Sequence, residues 1–196
     1  VTGFTIGHSI TLALAVTGIV RPHAQYIDAL VALTIALIGA ENIAVSLNRP
    51  GTIALAFGGT LVFMALLQWM GAGGLPGLLL LGAGIFTGNY LMITGHLQDA
   101  ARIRVIVTLV FGLIHGFGFA SSLLEMRLPT GRMAELLLGF NSGVEVGQLS
   151  LVLSVTLIAW LLVKVKFALP RPIVTDVCAA FLVGIGVFWF VSRSYA

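Results

Sequence analysis

The chain has 196 residues, 59% hydrophobic and 9% charged, with a mean hydropathy of +1.10. A soluble domain carries roughly a quarter charged residues, so this is an integral membrane protein. The formal charge of +3 is spread over ten Lys and Arg residues in short connections, which excludes a nucleic-acid-binding surface and reads as topology information.

Apolar stretches near the ~18–20 residues that cross a bilayer recur along the chain, and strand-period alternation is missing. The fold class expected is all-α, a polytopic transmembrane bundle of seven spans forming a single domain over 1–196. The spans are read at about 4–20, 26–47, 52–70, 75–94, 103–124, 134–163 and 173–191. "VRPH", "LNRPG" and "GAGGLPG" separate the first four, because proline and glycine interrupt helices where the backbone turns. The chain opens at Val1 with no basic segment before its first apolar run, so a leading segment is expected to precede it.

Within the first span, "FTIGHSITLALA" places His8 and Ser9 among apolar residues, near a helix end where water is at hand. The second span carries Asp28, read as an interfacial or first-turn acid, and the deeper pair Glu41 and Asn42. The third and fourth spans hold little polarity beyond Gln68, Asn89 and Tyr90 and read as peripheral packing helices. In the fifth, "FGLIHGFGFASS" sets His115 between glycines.

The sixth stretch exceeds one simple crossing and is expected to begin as an interfacial or tilted segment before "GFNSGVEVGQL". There Asn141, Glu145 and Gln148 recur at i, i+4 and i+7 on one helical face, beside a small-xxx-small pair of Gly143 and Gly147. His23 and His96 fall in connections and read as solvated. Cys178 is the single cysteine, which rules out an internal disulfide and a thiolate-rich copper(I) site.

Ionisable groups at bilayer depth are expensive unless they meet a protein interior, water or a partner. Two uses fit this pattern. The groups fasten helices by hydrogen bonds, or His8, Glu41, His115 and Glu145 line an ion path supported by Ser9, Asn42, Asn141 and Gln148. Imidazole with carboxylate and amide oxygen suits nickel, cobalt or zinc. No nucleotide-binding loop occurs, so transport would be secondary or driven by partners. With no nucleophile–base pair in view, an enzyme is the weakest of the readings.

The stretches "FTIGHSITLALAVTGIV", "IDALVALTIALIGAEN", "FGLIHGFGFASSL", "GFNSGVEVGQL" and "GVFWFVSR" resemble the HupE/UreJ family of bacterial membrane proteins. The resemblance implies nickel supply, with Ni2+ (or Co2+ or Zn2+) as cargo and no resident cofactor. It implies an inner-membrane location, with the lipid bilayer and a membrane complex or second copy as partners. The family's recurring polar positions fall here on His8, Ser9, Glu41, Asn42, His115, Gly116, Gly118, Asn141, Glu145 and Gln148. Its usual leading glycine-x-aspartate-histidine segment does not occur in this sequence, and 52–93 looks like an inserted helix pair. The competing expectation is a non-catalytic accessory subunit of a larger complex.

Overall fold

The computed structural model describes residues 2–94, 100–125, 132–166 and 170–195. Among them lie seven helices: α1 (Thr2–Val16), α2 (Ala24–Ser46), α3 (Pro50–Trp69), α4 (Gly77–Thr94), α5 (Ala100–Glu125), α6 (Met133–Lys164) and α7 (Arg171–Ser194). The chain is an all-helical membrane protein. By length and composition α2, α3, α4, α6 and α7 can each cross a bilayer, whereas the described apolar cores of α1 and α5 are shorter. His96 and Arg127 lie outside the described residues.

The turn residues act as their chemistry requires. Helix α1 stops at Val16, short of the expected 20, because Gly18 takes a left-handed φ of 76°. Asn48 turns the chain with φ 52°, and Pro50 opens α3 where no backbone donor is needed. The sixth stretch is one continuous 32-residue helix, because none of its glycines is paired with a proline or a left-handed residue inside the run. At 1.5 Å per residue it spans about 48 Å, more than a hydrocarbon core of ~30 Å. Glu135 in its first turn and Lys164 in its last complement the helix dipole, and Lys164 Nζ sits 4.8 Å from the Trp160 ring centroid.

The helices form two compact units, Val1–Ala24 with Arg104–Pro170 and Gln25–Ile103 with Arg171–Ala196. In the first, α1 packs on α5 through glycine. Side chains on Gly7, Gly112 or Gly116 would overlap, respectively, the Leu109 carbonyl, Phe4, and the His8 backbone with the Thr11 hydroxyl. The register rises together, Gly3 beside Val105 and Gly116 beside His8, so the two helices run parallel. Leu12, Ala15 and Ala120 are buried beyond this contact, with Leu137 and Phe140 of α6 packed against them.

The second unit uses the same device. Gly39 of α2 meets Ala179 and Val183 of α7, Gly186 of α7 meets Ala32 and Ala36, and Gly58 of α3 meets Gly84 and Gly88 of α4. Lipid competes with side chains for apolar contact, so association in a bilayer favours backbones that approach closely. The core here comprises Ala29, Ala32, Leu33, Leu61, Ala65, Leu75, Leu80 and Phe190. The residues 52–93 form the α3–α4 hairpin, which supplies Leu61, Ala65 and Leu80 to that core.

Gly112→Leu and Gly116→Leu are expected to separate α1 from α5, lowering the thermal transition in detergent and the yield of membrane-inserted protein. Gly143→Ala has open space in front of it and should leave both unchanged or raise stability by up to about 1 kcal/mol. Equal effects at all three positions would refute the packing described.

Candidate functional site

The glycine contact brings two imidazoles together. Gly116 is seated on the backbone of His8, and His115 is its neighbour in sequence. Both rings meet Phe4: His8 is stacked on it at 5.8 Å between centroids, and His115 lies edge-on at 5.2 Å. Phe119 and Phe140 close around His8 at 6.0 and 6.3 Å and contact each other at 5.4 Å. His8 is 0% exposed, against the expectation of a water-accessible helix end. The reason is the close α1–α5 approach, which leaves no room for solvent beside Gly7 and Gly116.

Each imidazole satisfies one nitrogen within its own helix. His8 Nδ1 lies 2.8 Å from the Thr5 carbonyl oxygen, and His115 Nδ1 lies 2.8 Å from that of Phe111. A carbonyl oxygen only accepts, so both Nδ1 atoms donate, and a neutral ring held this way carries its lone pair on Nε2. Ser9 Oγ donates to the same Thr5 carbonyl at 2.6 Å. Among the described residues His8 Nε2 is buried with no hydrogen-bond partner, a condition that costs about 1–3 kcal/mol for a polar group. Such an atom calls for an explanation in chemistry rather than packing.

Helix α6 brings further acceptors to this unit. Asn141 follows Phe140, the residue whose ring meets His8. Its Oδ1 and the Oε1 of Gln148 are buried without a hydrogen-bond partner among the described residues. Glu145 is partly buried between them, and among the described residues no hydrogen bond joins it to His115. The Phe111 carbonyl orients His115, because a membrane helix always offers a carbonyl one turn back.

Glu41 and Asn42 belong to the other unit. Tyr90 Oη donates to Glu41 Oε2 at 2.6 Å, joining α4 to α2. Tyr90 is buried. Asn42 is exposed and donates to the Ile38 carbonyl at 2.9 Å. Asp28 lies beyond the first turn of α2 and pairs with Arg193 Nε of α7 at 3.6 Å. The same helix end is held by Gln25 Nε2 donating to the Arg193 carbonyl at 3.0 Å and by the Gly74 amide donating to that of Ser194 at 3.1 Å. His23 and Cys178 are exposed.

Among the described residues, no three His, Cys, Asp or Glu side chains gather closely enough to hold a metal ion together. What α1, α5 and α6 supply is a pair of imidazoles with amide and carboxylate oxygens. Sequence reasoning missed Phe4, Phe119, Phe140 and the Tyr90–Glu41 bond. A signal existed for two of them, since Phe4 and Phe119 lie four residues from His8 and His115 along the same helices.

Glycine-packed helices around a buried and a partly buried imidazole define a polytopic helical membrane protein with a polar interior. The family model described as "HupE / UreJ protein" matches residues 1–75 and 88–193. The chain belongs to the HupE/UreJ family, a family of membrane proteins associated with metal handling. The match runs through most of 52–93 and leaves out only 76–87. No match was found among curated proteins or among solved structures.

Tyr90→Phe is expected to lower stability in detergent by about 1 kcal/mol. Glu41→Gln keeps an acceptor for the phenol and should cost less. Thermal unfolding of the purified variants checks this, and a silent Tyr90→Phe would show that the bond fastens nothing.

Proposed function

We propose that this protein is a secondary permease for a divalent transition-metal ion, foremost nickel, in a bacterial cytoplasmic membrane. The observation that carries the reading is His8 Nε2, a lone pair held in a fixed tautomer, buried and without a partner. His115 presents the same tautomer on the adjacent helix. Neutral imidazole nitrogen is a preferred donor for Ni2+, Co2+ and Zn2+, and it avoids the charge that would make deep burial prohibitive. Membership of a family associated with nickel supply supports nickel over the others.

Two imidazoles with oxygen donors also suit release. A closed set of four protein ligands makes a structural metal site, whereas a conducting site must bind well enough to replace hydration water and weakly enough to let go. The Phe4, Phe119 and Phe140 rings keep water from His8. Glu145, one turn from Asn141 on the same helix, provides charge that offsets the cation. Glu41 fits the fastening role better, because its carboxylate accepts from Tyr90 on the neighbouring helix.

In cells expressing the protein, His8→Ala and His115→Ala should each reduce initial 63Ni2+ uptake at least about tenfold, the loss of a ligand worth roughly 1.4 kcal/mol or more. Membrane abundance measured alongside should stay near wild type. Glu145→Gln keeps shape and one oxygen while removing charge and should give a smaller decrease. Normal uptake in both histidine variants would overturn the permease reading.

A further inference from the structure

Four buried side-chain atoms lack a hydrogen-bond partner among the described residues: His8 Nε2, Thr87 Oγ1, Asn141 Oδ1 and Gln148 Oε1. Three of them belong to the α1, α5 and α6 unit, and all three are acceptors. An orphaned donor would call for an anion or a carbonyl. Orphaned acceptors call for a hydrogen-bond donor or a cation.

Their placement is regular. Phe140 touches the His8 ring, and Asn141 is the next residue. Gln148 lies two turns further on, about 10 Å along the α6 axis, with Glu145 between them on the same face. If amides here served only to fasten helices, they would bond a carbonyl or hydroxyl within their unit. Among the described residues neither does. The hydroxyl of Ser154 shows the contrast, since it donates to the Ser150 carbonyl at 2.8 Å.

We propose that Asn141 and Gln148 coordinate the cation, their side-chain oxygens extending the site at His8 Nε2 into an acceptor track along α6, which selects a partly dehydrated divalent ion. This deepens the permease reading and rests on it. An amide rotates its oxygen toward a cation, contributes partial negative charge without a permanent one, and is an intermediate-strength ligand. Such a ligand passes an ion onward where a second carboxylate would retain it.

The test is 63Ni2+ uptake into proteoliposomes containing the full chain, with KM and maximal rate separated. Asn141→Leu and Gln148→Leu should each lower uptake at least about fivefold, mainly through KM. Asn141→Asp and Gln148→Glu keep an oxygen, add charge, and should restore binding with KM at or below wild type. Should a leucine variant fail to insert, the matching carboxylate variant decides: KM lowered several-fold upholds the proposal, and unchanged KM overturns it. Leucine variants that transport at the wild-type rate, while His8→Ala and His115→Ala do not, overturn the amide track and leave the permease standing. Normal transport in all of these variants overturns both.

Discussion

The site in this protein depends on how closely the backbones of α1 and α5 approach one another. Gly7 on one helix, with Gly112 and Gly116 on the other, removes the side chains that would hold the axes apart. His8 is buried because of that approach, and His115 meets the same phenylalanine because it precedes the glycine seated on His8. Glycine is a poor helix former in water, by about 1 kcal/mol relative to alanine. In a bilayer that disadvantage is offset by packing that lipid cannot imitate.

That contact would be of little chemical use if the imidazoles turned their lone pairs toward their own helices. They do not, because Thr5 and Phe111 present carbonyl oxygens at 2.8 Å to the Nδ1 atoms. A local hydrogen bond thereby selects the tautomer and aims Nε2 away from the helix backbone. An imidazole in a protein interior is commonly held in this way by a backbone carbonyl or a carboxylate. Here the orienting group is the helix itself, so the carboxylate of Glu145 remains available for other work.

The two units treat polarity differently. In the α2, α3, α4 and α7 unit, Glu41 accepts from Tyr90, Asp28 pairs with Arg193, and the end of α7 is tied by Gln25 and Gly74. These interactions join one helix or connection to another, although Thr87 Oγ1 of α4 lacks a partner among the described residues. In the α1, α5 and α6 unit the Nδ1 atoms of His8 and His115 are satisfied within their own helices, while His8 Nε2, Asn141 Oδ1 and Gln148 Oε1 have no partner among the described residues. Satisfied bonds between helices hold a structure in one arrangement. Acceptors left without partners are where a transient cation gains most.

Much of this was legible in the sequence. Hydropathy determined that the protein is a helical membrane bundle, since a bilayer offers backbone groups no partner and only internally bonded helices meet that constraint. Proline and positive-φ glycine determined where α1 and α3 end and begin, and polar residues in apolar runs singled out His8, Glu41, His115 and Glu145. The tertiary structure alone decided what surrounds them. Periodicity places Asn141 and Glu145 on one face but cannot tell which neighbour that face meets, and nearness to a helix end suggested water beside His8 where α5 and Phe140 leave it 0% exposed. Likewise, Glu41 and His115 look alike as lone polar groups in sequence. One is held by a tyrosine 49 residues away, the other by a carbonyl one turn back, because hydrogen bonds and close backbone contacts are set by distances across helices that a one-dimensional pattern does not contain.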